Sequence, residues 1–216
     1  MSFDLAKEAL IASGLTSEAM IGTYLSRLDC ILRQSISEDS TDNSISARSK
    51  KIFESLWKDK PQRYRQHGHF RFDDVIDAQL SEKSEAVGNC LGLTLLYNCL
   101  LKRTGIQAKV LYLENAFNIG PHVLTVLRIN NAIIDVENSL PEGFDYGGHK
   151  QNPLRLEWGD KDLVADIYQS AGTELFEEGE FDEALRNYEK ALIFNPAYEK
   201  ARLNKAILLE RMNRTR

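Results

Sequence analysis

The sequence predicts an α+β fold with a helical N-terminal segment, a core containing an antiparallel sheet, and a C-terminal helix-turn-helix hairpin. Three observations carry this. Apolar residues recur at helical spacing in the first third of the chain and again after residue 164. Residues 107–137 hold short strand-like runs, two of them joined by Asn130-Asn131. A two-residue Asn link tolerates the left-handed backbone of a tight hairpin. Between these parts, residues 89–103 are apolar on nearly every side, the pattern of a central, buried helix.

Each element follows from local signals. Residues 4–12 form a short helix closed by Ser13-Gly14, and Thr16 is placed to cap a second. The stripe Met20/Ile21, Tyr24/Leu25, Leu28 and Ile31/Leu32 marks its buried face. Cys30 lies beside that stripe and reads as a core cysteine. Residues 35–48 are polar and turn-rich, leading to a third helix around 51–57. The stretch 58–71 carries Lys58, Lys60, Arg63, Arg65 and Arg71 around Pro61 and Gly68, and reads as a solvated loop. His67 and His69 have no partner at ligand spacing, so no metal ligand is expected among them. A helix over 73–81 has Asp73 and Asp74 at its positive end. After the central helix, which Thr104-Gly105 closes, residues 107–114, 122–129 and 132–137 read as strands. His149 sits in a polar turn region and reads as surface.

The bulk numbers exclude several classes. With 216 residues, 43% hydrophobic and 27% charged, the chain can bury one good core plus an appendage. A formal charge of −5 argues against nucleic acid as the main partner. No apolar run approaches the ~18 residues of a membrane span, and the start, MSFDLAKEAL, lacks a basic region before an apolar core. Three cysteines at irregular spacing suggest neither a disulfide framework nor a zinc site. The expectation is a cytoplasmic protein without cofactor or metal. There is no Gly-rich phosphate loop, nucleophile-elbow serine or HExxH.

In the tail, Tyr168, Gly172, Leu175, Gly179, Phe181, Ala184, Tyr188, Ala191 and Pro196 stand at the spacings of one tetratricopeptide repeat, the 34-residue helix-turn-helix unit. Ala206 falls 34 residues after Gly172, so a second repeat begins near residue 200. One and a half repeats cannot supply a core by stacking. They should pack on the preceding domain, or the array continues beyond residue 216. The resulting division is 1–160, with 1–60 helical and 61–160 the core, followed by 164–216.

The stretch GNCLGLTLLY puts Cys90 just after a capping Asn89. A helix N-terminus favours thiolate over thiol, and its free amides can donate to a developing oxyanion. Cys99 is nine residues on, about 180° around the helix, and reads as structural. A thiolate enzyme also needs a base and a group to orient it. His122 opens the first hairpin strand; Asp135 and Glu137 lie on the second. With Asn130-Asn131 as a two-residue turn, 129 pairs with 132, Glu137 faces position 124, and all three candidates share one face. Glu137 is then a diagonal neighbour of His122, roughly 7 Å away. Asp135 is roughly 13 Å out of register and is held in reserve.

The order of Cys90 at a helix start, His122 at a strand start and an acid on the next strand resembles the transglutaminase-like superfamily, whose core is papain-like. The resemblance spans roughly residues 40–150. It is nearest the bacterial branch, whose members often carry a helical N-terminal segment and trailing tetratricopeptide repeats. FDDVIDAQLSEKSEAVGNCLGLTLLYNCLLKRTGIQAKVLYLENAF looks like its nucleophile region, and IDVENSLPEGFDYGG like its acid-bearing strand and Gly-Gly segment. The resemblance implies a catalytic set of Cys90, His122 and Glu137. Animal members use a Trp as oxyanion donor; Gln79, 11 residues before Cys90, is the candidate here. The implied activity is acyl transfer on peptide or protein amides, as a peptidase or amidase ahead of a cross-linking transferase. The alternative is an inactive scaffold with a repeat that binds a protein partner.

Overall fold

The computed structural model describes residues 3–36 and 44–214. The helical start comprises α1 (Leu5–Ala12), α2 (Glu18–Ser35), α3 (Ile45–Lys58) and α4 (Phe72–Leu80). Asp4 caps α1, its carboxylate accepting from the Ala6 and Lys7 amides at 3.0 and 3.2 Å. Ser17, not Thr16, caps α2, because its hydroxyl reaches the Met20 amide. Helix α3 begins six residues earlier than expected, where Ser44 accepts from the Ala47 amide. Residues 37–43 of the predicted loop lie outside the described residues.

Helix α5 (Cys90–Arg103) is buried over every residue from Leu91 to Leu101. It lies on a four-stranded antiparallel sheet of β1 (Ala108–Ala116), β2 (Gly120–Ile129), β3 (Ala132–Val136) and β4 (Arg155–Trp158), in the order β3-β2-β1-β4. The hairpin register is the expected one: Ile129 pairs with Ala132 and Val126 with Asp135. Asn130 and Asn131 have φ of 49° and 67°, the left-handed pair that a two-residue turn needs. Strand β4 was not expected. Arg155-Leu156-Glu157-Trp158 is short and buries only its last residue, so it carries no alternation to read.

Helices α6 (Asp160–Glu178), α7 (Phe181–Phe194) and α8 (Glu199–Arg214) complete the chain. Gly172 is required where α6 meets α7: a Cβ there would stand 2.7 Å from the Tyr188 ring. Leu163, Val164, Ile167 and Tyr168 of α6 share one buried cluster with α1, α4, α5 and the inner face of the sheet. Among the described residues, no helix is long and apolar enough to cross a membrane.

The cationic stretch is irregular, with Lys58 and Arg65 exposed as expected of a solvated loop, but two of its cations depart from that reading. Lys60 and Arg63 are buried. The Lys60 ammonium donates to the carbonyls of Ser81 and Ser84. The Arg63 guanidinium lies 5.2 Å over the Trp57 ring and donates to Gln79 Oε1 at 3.1 Å; burial pulls its pKa down to about 9. Arg71 pairs with Glu174 at 2.7 Å. The stems and donors of Lys60 and Arg63 fill the junction between helices rather than facing water, while the Arg71–Glu174 pair stays partly exposed.

Candidate functional site

Cys90 is placed by backbone crossings. The 63–69 segment runs over the start of α5, with the Val87 and Gly88 amides donating to Arg63 O and the Asn89 amide to His69 O. Asn89 caps the helix by accepting from the Gly92 amide at 3.1 Å. The crossing is so close that a Cβ on Gly88 would lie 2.7 Å from His69 O, and one on Gly92 2.5 Å from it. Cys90 is thus the first residue of α5, partly exposed, beside a loop that only glycine admits.

His122, near the start of β2, is buried. Its Nε2 meets both Glu137 oxygens, at 2.9 and 2.8 Å, and the ring lines the same cavity as Cys90. Glu137 is fully buried just after β3. Oε1 accepts from the Ser139 amide at 3.1 Å and from its hydroxyl at 2.5 Å. Oε2 also meets His149 Nε2 at 3.2 Å. Burial alone would lower the His122 pKa, yet the influence of the nearby Cys90 and the bond to Glu137 outweigh this and raise it to about 10. Burial likewise favours a protonated Glu137. The bonds from His122 and His149, the His122 charge and the Ser139 bond reverse that and bring it to about 2. The imidazolium–carboxylate form is the favoured one.

The spacing between α5 and β2 is fixed by a buried polar lattice. Thr94 Oγ1 donates to Val123 O at 3.1 Å, and Thr125 Oγ1 to Asn98 Oδ1 at 2.7 Å. The Asn138 amide donates to Thr125 Oγ1 at 2.9 Å and Thr94 Oγ1 at 3.2 Å. Asn138 follows Glu137 directly, so one lattice ties together the elements that carry Cys90, His122 and Glu137.

The predicted residues divide as follows. Cys90, His122 and Glu137 come together. Asp135 does not join them: Arg155 holds its carboxylate with two bonds, at 2.9 and 3.0 Å. Gln79 is not at the site either, since its amide donates to Leu56 O and it lines a different cavity. Cys99 is buried, and burial pushes its thiol well up. Cys30 is only partly buried, not in the core. His149, expected at the surface, is buried against the Phe117 and Tyr146 rings, with centroids 4.7 and 5.1 Å away. Its Gly-rich surroundings gave no periodic signal of burial. His122, Glu137 and His149 offer ligand-type atoms all within 4.8 Å of one another, a grouping that could hold a cation. A metal there would have to displace the protons both imidazoles hold toward Glu137.

A cavity of about 210 Å³ opens beside Cys90 and His122. Its walls include Gln66 from the crossing loop, the β1–β2 turn, and Asp166, Ser170, Tyr198 and Lys200 from the C-terminal helices and the link between α7 and α8. A family model of the TPR repeat matches residues 172–213. No curated protein and no solved structure matches the chain. The C-terminal helices therefore carry a tetratricopeptide unit, a device for protein–protein interaction.

Proposed function

We propose that the chain is a thiol acyl-transfer enzyme with a transglutaminase-like, papain-like core spanning residues 61–160. The observation that carries this is His122, held at Nε2 by a buried carboxylate and lining one cavity with Cys90 at the start of α5. Cys90 sulfur attacks an amide carbonyl carbon, and a C–S bond forms. With Nε2 turned to Glu137, His122 uses Nδ1 to hold the thiol proton and then delivers it to the leaving nitrogen as the C–N bond breaks. Glu137 fixes the ring and stabilises its positive charge. The α5 backbone amides not used by Asn89, with the Gln66 side-chain amide on the cavity wall, are the candidate oxyanion donors. Water then attacks the thioester, His122 takes its proton, and the acid leaves with the thiol restored. The product is that of a peptidase or amidase; an amine in place of water would give cross-linking.

The test is covalent labelling of the full chain with an electrophilic acyl probe, followed by mass spectrometry. Modification should fall on Cys90, be lost in Cys90→Ala, and slow by at least about a hundredfold in His122→Ala. Equal, slow labelling of Cys30, Cys90 and Cys99 would sink the enzyme reading. It would leave the second one, a non-catalytic scaffold whose repeat binds a protein partner, which the TPR match supports.

A further inference from the structure

We propose that the cavity beside Cys90 is a recognition pocket for a cationic side chain, of lysine or arginine type, on the residue whose carbonyl Cys90 attacks. This rests on the acyl-transfer reading and names its substrate class.

Three features of the cavity point to a cation. First, Asp166 is the only carboxylate on its walls among the described residues, and it is 9% exposed. The Tyr198 hydroxyl donates to Asp166 Oδ1 at 2.6 Å. No other hydrogen bond reaches that carboxylate among the described residues. A buried carboxylate with one neutral donor is under-compensated, and an incoming positive charge is what it lacks. Burial also pushes the Asp166 carboxyl above its ordinary range, so the charged form gains most from such a partner. Second, four aromatic rings line the same space: Tyr64, Tyr112, Phe117 and Tyr198. Ring faces attract ammonium and guanidinium groups, more strongly when water is excluded. Third, at about 210 Å³ the cavity has room for one extended side chain. It is smaller than the roughly 300 Å³ at which pockets for whole drug-sized ligands begin.

The His122 imidazolium also lines this cavity but is paired with Glu137, so Lys200 is the competing charge without such a partner on the cavity wall. It is exposed on α8, makes no ion pair with Asp166 among the described residues, and acts on it only through its field. It weakens the pocket without filling it. Asp166 lies on α6, Tyr198 in the link between α7 and α8, and Lys200 on α8, so the C-terminal unit takes part in choosing the substrate.

The experiment uses the full chain and three peptidyl chloromethyl ketones that differ only at the residue bearing the ketone: Lys, norleucine or Glu. The Cys90 sulfur displaces chloride, a C–S bond forms, and intact mass gives the second-order rate. The lysyl probe should react at least about fivefold faster than the norleucyl one, with the glutamyl probe slowest. Asp166→Asn keeps the shape and can still accept from Tyr198; it should lower the Lys-to-norleucine ratio at least about threefold. Lys200→Gln should raise that ratio. A wild-type ratio below fivefold, a smaller fall in Asp166→Asn, or no rise in Lys200→Gln overturns the pocket. If Asp166→Asn does not fold by circular dichroism, the wild-type ratio and Lys200→Gln decide alone. Iodoacetamide, which is small and uncharged, separates the two readings. If it labels Cys90 no faster than Cys30 in the wild type, the acyl-transfer reading fails with the pocket. If it labels Cys90 fast while the probes show no lysine preference, only the pocket fails.

Discussion

Glu137 accepts from two imidazoles, one hydroxyl and one backbone amide, and all of these partners face it as donors. A carboxylate is the one side chain that can satisfy four donors without offering one of its own. Glu137→Gln would point an NH₂ group at one of those donors and remove the charge that holds the His122 proton. Cys90 alkylation by an acyl probe should slow at least about tenfold, and the His122 ring resonances should titrate nearer the ordinary histidine range. Unchanged labelling would mean that Glu137 is only structural. His149→Asn, which removes one of several donors and leaves the His122 bonds in place, should cost only a few-fold. Glu137 was legible in the sequence because hairpin register is a matter of counting from Asn130-Asn131. His149 was not. It reaches Glu137 Oε2 from an irregular segment whose path depends on Arg155 donating to both Asp135 and the His149 carbonyl, and irregular backbone leaves no period to read.

The elements that hold the site are regular helix and strand wherever the sequence is periodic, and the least regular piece does the placing. The 63–69 segment, part of the stretch read as a solvated loop from its charges, crosses the start of α5 so closely that Gly88 and Gly92 leave no room for a Cβ. In most helices Gly→Ala is stabilising by about 0.5–1 kcal/mol. At Gly92 the sign should reverse, because the new Cβ would stand 2.5 Å from His69 O and 2.7 Å from Val75 Cγ2. Gly92→Ala is expected to destabilise the chain by about 1–3 kcal/mol in urea unfolding and to slow Cys90 labelling. A more stable Gly92→Ala would show that the crossing is loose. Charge composition misread Lys60 and Arg63 because long cationic stems bury readily once carbonyls and an aromatic face are supplied. Strand β4 escaped for a different reason: an edge strand of four residues, paired only with β1, needs neither alternation nor β-branched residues.

At the scale of the molecule, the candidate site joins residues far apart in sequence: Cys90, His122, Glu137 and His149, with Asp166 and Tyr198 across the cavity. Helix α6, with Ala191, Tyr198 and Ala201, shares the main core with the sheet, while Ala184, Tyr188 and Leu208 form a smaller cluster within the repeat. The His122–Glu137 pair should then be visible in global stability, with a defined pH dependence. The His122 pKa is raised from 6.5 to about 10, so its contribution is full below about pH 6.5 and fades as pH climbs through 10. The Glu137 pKa is lowered from 4.5 to about 2, so its contribution is full above about pH 4.5 and is lost as pH falls toward 2. Both are complete only between those ordinary values. Urea unfolding of the wild type and Glu137→Gln should differ most near about pH 5.5, and the gap should narrow steadily toward about pH 10 as the imidazolium deprotonates in the folded wild type. His122→Gln should give the same narrowing, and combining it with Glu137→Gln should cost less than the sum, because each single change already removes the shared bond. A gap that stays constant between pH 5.5 and 10 would show that His122 is neutral throughout, and with it that the ion-pair form is not the resting state of the site.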